Sequence, residues 1–228
     1  MSGHLVWLAG RGVSMSCGLC WDVPQPLEDA YRRGEIDRAE LTARICAELA
    51  RAEADPAVDP RPVEKLIEKV KASNGCRHSF VTTNWDGLLD RALRAHGFAA
   101  PLHLNGSIAE RNLLTAWDDE RARERVPQAR EGLRRLMDAD VCVVAGLSLA
   151  NRLDEALVAR LRGKRGGRWL VVNHDAAEVR QACELLRAQL ARCEVSAVEE
   201  PFDAWVEAGM PGLGVAPQRA AAEQRAHQ

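Results

Sequence analysis

A chain of 228 residues, 46% apolar and 28% charged, has the make-up of one generous globular domain or two small ones with a real core. Lys+Arg 31 against Asp+Glu 33 leave a formal charge of −2, which excludes a bulk electrostatic pull toward nucleic acid or an anionic membrane. The longest apolar runs, such as Val141–Gly146, fall far short of the roughly 20 residues a membrane span needs.

Strand-like runs recur along the chain at His4–Ala9, Ser79–Thr82, Pro101–Leu104, Asp140–Ala145, Arg168–Val172 and Cys193–Val198. Several are apolar without polar alternation, as expected of strands covered on both faces of a parallel sheet. Helical patterns lie between them. Leu27–Arg33 comes first, then Glu35–Glu53, where Ile36, Leu41, Ile45, Leu49 and Ala50 form one stripe. Pro62–Lys71, Trp85–Ala95, Glu120–Met137, Ala150–Arg162, Ala176–Leu190 and Pro201–Ala208 follow, with Pro127 expected to break the fourth of these eight patterns from the end of the chain. Alternation of this kind predicts an α/β fold with a doubly wound, mostly parallel sheet. Residues 25–74 hold helical patterns but no convincing strand, so a helical insertion is expected there, with Asp55–Pro62 as an internal loop. The body is expected to span 1–208. Residues 209–228, without apolar periodicity, are expected to form a mobile tail.

Nothing in Met1–Gly10 reads as a signal peptide, because it lacks a basic stretch and runs straight into a strand. Seven cysteines at irregular spacings do not suggest a disulfide framework, and a reducing, cytoplasmic setting is expected. Cys17-x-x-Cys20 is half of a metal site with no second half, and the histidines show no ligand spacing, so no metal site is expected.

Candidate chemistry sits at the ends of the strands. The first ends in Gly10-Arg11-Gly12-Val13-Ser14, where glycines permit a tight turn and a close backbone approach to phosphate. The usual dinucleotide fingerprint fails here, since its third glycine would fall at Met15. The second strand ends in Thr82-Thr83-Asn84-Trp85-Asp86, where Thr83 or Asn84 is also a candidate helix cap. Later strands end in His103-Leu104-Asn105-Gly106-Ser107, Gly146-Leu147-Ser148-Leu149 and Asn173-His174-Asp175. Each is weak alone. In an open α/β sheet they converge on one edge, outside the carboxyl ends of the strands, where ligands bind.

This ordered set resembles the sirtuin-like (SIR2-like) family of NAD-binding domains, a Rossmann variant, in its divergent bacterial form without a zinc module. Gly10-Arg11-Gly12-Val13-Ser14 matches the family's Gly-Ala-Gly-(Ile/Val)-Ser loop, and Thr82-Thr83-Asn84-Trp85-Asp86 its Thr-x-Asn-x-Asp element. Asn105-Gly106-Ser107 matches His-Gly-Ser in part, Gly146-Leu147-Ser148-Leu149 matches Gly-x-Ser-Leu, and Asn173 follows a late strand, so the likeness covers roughly residues 4–200.

The resemblance implies NAD as ligand or substrate. Gly10, Gly12 and Ser14 would cradle the pyrophosphate, Gly146 and Ser148 the adenine-side ribose or phosphate, and Asn173 the adenosine end. Arg11, Trp21 and Thr83 join the cofactor-contacting positions. Asn84 would approach the nicotinamide ribose and Asp86 the carboxamide. Cleaving the nicotinamide–ribose bond develops oxocarbenium character, so such a site must orient the ribose and hold the leaving amide.

Three departures narrow the expectation. Asn105 stands at the family's catalytic histidine, and an amide takes no proton at neutral pH. His103, two residues upstream on the same strand face and about 6–7 Å away, is a candidate substitute, although a half-buried strand histidine is the plainer reading. Arg11 replaces a small residue, leaving open whether it pairs with phosphate or occupies ligand space, and Cys20-Trp21-Asp22-Val23 replaces the deacetylases' Pro-Asp-Phe-Arg. Protein deacetylation is therefore not expected, and Asn84, Asp86, Asn105 and His103 are the catalytic candidates. Three readings stay open: NAD hydrolysis to nicotinamide and ADP-ribose leads, and a non-catalytic NAD or ADP-ribose sensor or interaction module is its rival. A different α/β nucleotide enzyme is the third. NAD or ADP-ribose is the expected partner, with no membrane or nucleic acid, and with a homo-oligomer or a separate effector protein conceivable. The acidic run Asp118-Asp119-Glu120 reads as favourable charge at a helix start, and Glu120–Arg135, carrying both signs, as a solvated face.

Overall fold

The structure is a computed structural model and describes residues 3–73, 75–115, 118 and 120–213. In chain order the elements are β1 (His4–Ala9), α1 (Arg11–Ser16), α2 (Gln25–Arg32), α3 (Arg38–Glu53), α4 (Arg61–Ala72), β2 (Arg77–Thr82), α5 (Leu88–Ala95) and β3 (Leu102–His103). A 3-10 segment at Glu120–Arg125 leads to α6 (Ala129–Asp138), β4 (Val141–Ala145), α7 (Arg152–Arg160), β5 (Arg168–Val172), α8 (Ala176–Gln189), β6 (Glu194–Val198) and α9 (Phe202–Glu207). No helix among the described residues is long and apolar enough to cross a membrane.

The six strands form one sheet in the order β3-β2-β1-β4-β5-β6, with every pairing parallel. This is the doubly wound α/β arrangement, and the strand order reverses at β1/β4. Both faces are covered, so side chains alternate between two cores. Val6 and Leu8 of β1 join Cys142, Val144, Trp169 and Val171 beneath α6, α7 and α8. Leu5, Trp7 and Ala9 join Phe80, Val143, Leu170 and Val172 beneath α4, α5 and α9. This explains why β1 is buried at every position and reads as an unbroken apolar run.

Residues 25–72 carry three helices and no strand among the described residues. The last of them, α4, places Val63, Leu66, Ile67 and Val70 on the sheet and is thus the crossover from β1 to β2. The part that projects is α2 with the start of α3, around its own small core of Leu27, Ile36, Leu41, Ile45 and Cys46. Leu113 closes that core from the loop after β3. Asp118 fastens the same loop to α3, accepting from Arg38 Nη2 at 2.6 Å and from Thr115 N at 2.7 Å.

Several expected boundaries move, each for a local reason. The Gly10–Ser14 turn continues directly into α1, with Gly10 as an extended N-cap; glycine's poor helix propensity hides the helix in the sequence. The helix expected from Trp85 begins at Leu88. Thr82 Oγ1 accepts from Asn84 N at 3.0 Å and holds the strand end open, and Asp86 Oδ1 accepts from Leu88 N at 3.1 Å. The N-cap is Gly87, not Thr83 or Asn84, and Asp86 supports the turn just before it. Pro127 divides the Glu120–Met137 pattern into the 3-10 segment and α6. The body also runs past 208: Leu213 is buried against the sheet, and its carbonyl accepts from Arg168 Nη2 at 2.6 Å. The rest of the expected tail, from 214 on, lies outside the described residues.

Candidate functional site

Register places the strand exits in line. Ala9 pairs with Thr82 and with Ala145, Thr82 with His103, Ala145 with Val172, and Val172 with Val198. The loops following these residues therefore share one edge, and the β1/β4 reversal lies at its centre, where open α/β sheets bind ligands.

The glycine turn is built for backbone packing. Gly10 N donates to Ala145 O and Gly12 N to Gly146 O, both at 2.8 Å. A Cβ on Gly10 would lie 2.6 Å from Gly146 O, and one on Gly12 2.7 Å from Gly146 Cα. Gly146 itself adopts φ +61°, and its Cβ would meet Val13 N at 2.5 Å. The three expected cradle glycines thus lock the β1–α1 turn to the β4–α7 turn. The N–H groups of Gly10 and Gly12 point at carbonyls rather than outward.

Beside this lock runs a directed chain of side chains. Asn84 Nδ2 donates to Gly10 O at 2.9 Å and to Ser14 Oγ at 2.8 Å. Ser14 Oγ in turn donates to Asp86 Oδ2 at 2.7 Å. Burial pushes the Asp86 carboxyl above its ordinary value, against the Ser14 and Leu88 hydrogen bonds that pull it down. Asn105 is held at both ends of its amide: Nδ2 donates to Thr83 O at 3.3 Å, and Oδ1 accepts from Arg123 Nη2 at 2.8 Å. Arg123 is only 1% exposed, which corrects the expectation that Glu120–Arg135 is wholly solvated. The same Nη2 donates to Leu153 O at 3.0 Å. Asp154 is equally buried; desolvation pushes its carboxyl up to about 6 while Arg123 and the Asn151 amide pull it down.

Above these groups opens a cavity of about 310 Å³. Of the residues expected at the site, Arg11, Ser14, Trp21, Thr83, Asn84, Asp86 and Asn105 line it. Gly10, Gly12, Gly146, Ser148, Asn173 and His103 do not line it. Asn173 Nδ2 donates to Glu178 Oε2 at 2.8 Å, and Ser148 Oγ accepts from Ala150 N at 3.4 Å, so both serve their own loops. Arg11 forms an exposed 2.6 Å ion pair with Asp22 at the cavity wall.

His103 is turned into the fold. Its Nδ1 lies 2.9 Å from Asn84 O and its Nε2 3.0 Å from Asp90 Oδ2. Both neighbours are acceptors, an arrangement that favours the doubly protonated ring. Burial opposes that charge, but the Asp90 carboxylate and the Asn84 carbonyl outweigh it and raise the ring above its ordinary value. His103 clamps the Asn84 backbone with both ring nitrogens engaged inside the fold. Cys17 is buried, its thiol pushed up to about 11 by desolvation, whereas Cys20 is exposed.

Sequence reasoning missed Asp22, Trp85, Asn151, Leu153 and the apolar Leu19, Leu49 and Leu114 on the cavity wall. It also missed Arg123. The one available signal was that Ala122, Val126 and Ala129, all buried, flank that arginine at helical spacing.

The chain matches no protein-family model and no curated protein. Solved structures do match. A structure described under the mechanism and regulation of Sir2 enzymes aligns with a TM-score of 0.55 at 16% identity, covering 92% of this chain and 91% of that one. A Sir2 mutant structure with a p53 peptide and NAD aligns with a TM-score of 0.54 at 15% identity, covering 93% and 94%. The six-stranded parallel sheet, its helices on both faces and the aligned strand exits therefore constitute a SIR2-like fold.

Proposed function

We propose that the protein binds NAD, or the ADP-ribose part of it, in this cavity, and acts as a nucleotide sensor or interaction module. The observation that carries this reading is the Asn84–Ser14–Asp86 chain on the cavity wall beside an Asn105 amide fixed at both ends. NAD is present in the Sir2 mutant structure of the same fold. The cavity sits at the small end of the roughly 300–1,000 Å³ range of ligand pockets, a size suited to one nucleoside-like half of a dinucleotide. Arg11 at its wall offers a guanidinium that exchanges Asp22 for a phosphate. Neither Asn105 nor His103 presents a base, which favours binding over turnover.

Slow hydrolysis is the second reading, and the Asp86 carboxyl on the cavity wall, in its ionised form, is the group that favours it. Loosening of the glycosidic bond builds positive charge on the ribose, which a carboxylate stabilises. In that step the ribose–nitrogen bond breaks, its electron pair leaves with neutral nicotinamide, water adds to the ribose carbon, and the water proton passes to solvent.

The test is calorimetry with NAD and with ADP-ribose, run beside an assay of nicotinamide release. Expected are saturable binding, no release above the buffer rate, and about tenfold weaker binding in Asn84→Ala. Absence of binding to either ligand overturns the reading. Release that disappears in Asn84→Ala replaces it with hydrolysis.

A further inference from the structure

Asn105 shares its hydrogen bond with a cation that does not lose its proton in proteins. Arg123 Nη2 lies 2.8 Å from Asn105 Oδ1 and 3.0 Å from Leu153 O, and the side chain is 1% exposed. A buried guanidinium is costly unless its surroundings are made for it. Here Nη2 meets a side-chain carbonyl and a main-chain carbonyl, and the buried Asp154 carboxyl supplies charge of opposite sign nearby. The guanidinium has donors only, so its partner at 105 must be an acceptor.

An imidazole at 105 would meet that requirement with a lone pair. To act as a base it would have to take up a proton within hydrogen-bond reach of a second positive charge, at a largely buried position. Like charges at such range disfavour the charged form strongly. The amide at 105 and the arginine at 123 are thus one device.

We infer that Arg123 is a positioning residue that fixes Asn105 as a hydrogen-bonding amide and sets the cavity against proton transfer at this position. The role concerns the same cavity as the proposed NAD or ADP-ribose site and rests on that reading for its meaning. Its consequence is that Asn105→His alone does not make a base, whereas loss of the guanidinium in the same background does.

The experiment is an NMR titration of the new imidazole in N105H, identified by difference from the six native histidines. With Arg123 present it is expected to titrate at least about one pH unit below the ordinary value near 6.5. In N105H/R123Q it returns toward that value. Nicotinamide release from NAD is expected only in the double variant, with a rate that rises with pH through the imidazole's titration. A new imidazole in N105H that titrates at or above the ordinary value overturns the inference. So does release by N105H that matches the double variant. Should R123Q fail to fold, N105H/D154N serves instead: removing the counter-charge lowers the imidazole further, and an unchanged titration above pH 6 counts against the role. ADP-ribose calorimetry on the same proteins separates the two claims, because a cavity that binds no nucleotide leaves the imidazole titration to judge Arg123 by itself.

Discussion

The two halves of the sheet's carboxyl edge treat similar residues differently. On the β1-β2-β3 side, polar side chains find partners far away in the chain: Ser14 with Asp86, Asn84 with Gly10, and Asn105 with Thr83 and Arg123. On the β4-β5 side they stay local, as with Asn173 and Glu178 or Ser148 and Ala150. Only the first arrangement needs the fold in order to exist. A polar residue at a strand end is one signal with two meanings, and the sequence separation of its partner tells a cavity wall from a loop cap.

The sharpest way to break this comparison is at the seam between the halves. Gly146→Ala forces a side chain into φ +61° and drives its Cβ to within 2.5 Å of Val13 N. Left-handed strain and overpacking together are expected to cost on the order of 3 kcal/mol, read as a lower urea midpoint. Ser148→Ala, two residues on, is expected to stay within about 0.5 kcal/mol because it removes only a local contact. Similar losses in the two variants would end the distinction between seam and cap.

Ser14→Ala probes the first half alone. It removes both the acceptor of Asn84 Nδ2 and the donor to Asp86 Oδ2, with an expected loss of about 1–2 kcal/mol. The sign of its pH dependence follows from Asp86. A carboxyl raised by burial contributes stability that is lost as pH rises through its folded value, and removing the Ser14 bond raises that value further. The Ser14→Ala penalty should therefore grow from acid toward neutral pH. A penalty that shrinks with pH would mean that Ser14 does not donate to an ionised Asp86.

The same contrast explains what the sequence discloses. All six strands are legible, because runs such as Leu5–Ala9 and Val141–Ala145 are apolar on both faces and stand between helical stripes. The doubly wound parallel sheet follows from that alternation, and it holds. Seven residues expected at the site line the cavity, because Ser14, Asn84 and Asp86 sit in motifs whose order follows the strand exits. The points that local pattern leaves open share a cause. Whether Asn173 faces a ligand or Glu178, whether Gly12 frames a phosphate or a second turn, and whether Arg123 is solvated depend on which side chain arrives from another element. Local pattern carries no such information. The six-residue α1 was hidden for the opposite reason, since glycine propensity argued against a helix that packing imposes.

The smallest expected effect concerns the clamp behind Asn84. His103 bridges Asn84 O and Asp90 Oδ2, and its folded value is raised. A raised histidine contributes stability that is fully present below the unfolded value near 6.5 and is lost as pH climbs through the higher folded one. The wild-type urea midpoint should thus fall from about pH 6.5 upward, and His103→Gln should flatten that fall. The carbonyl it releases belongs to the residue whose amide spans Gly10 and Ser14, so affinity for the proposed nucleotide ligand is expected to decline over the same pH interval. Parallel pH profiles in wild type and His103→Gln would show that the ring carries no extra proton in the fold. The far-reaching contacts of the first half would then owe nothing to the charge beneath them.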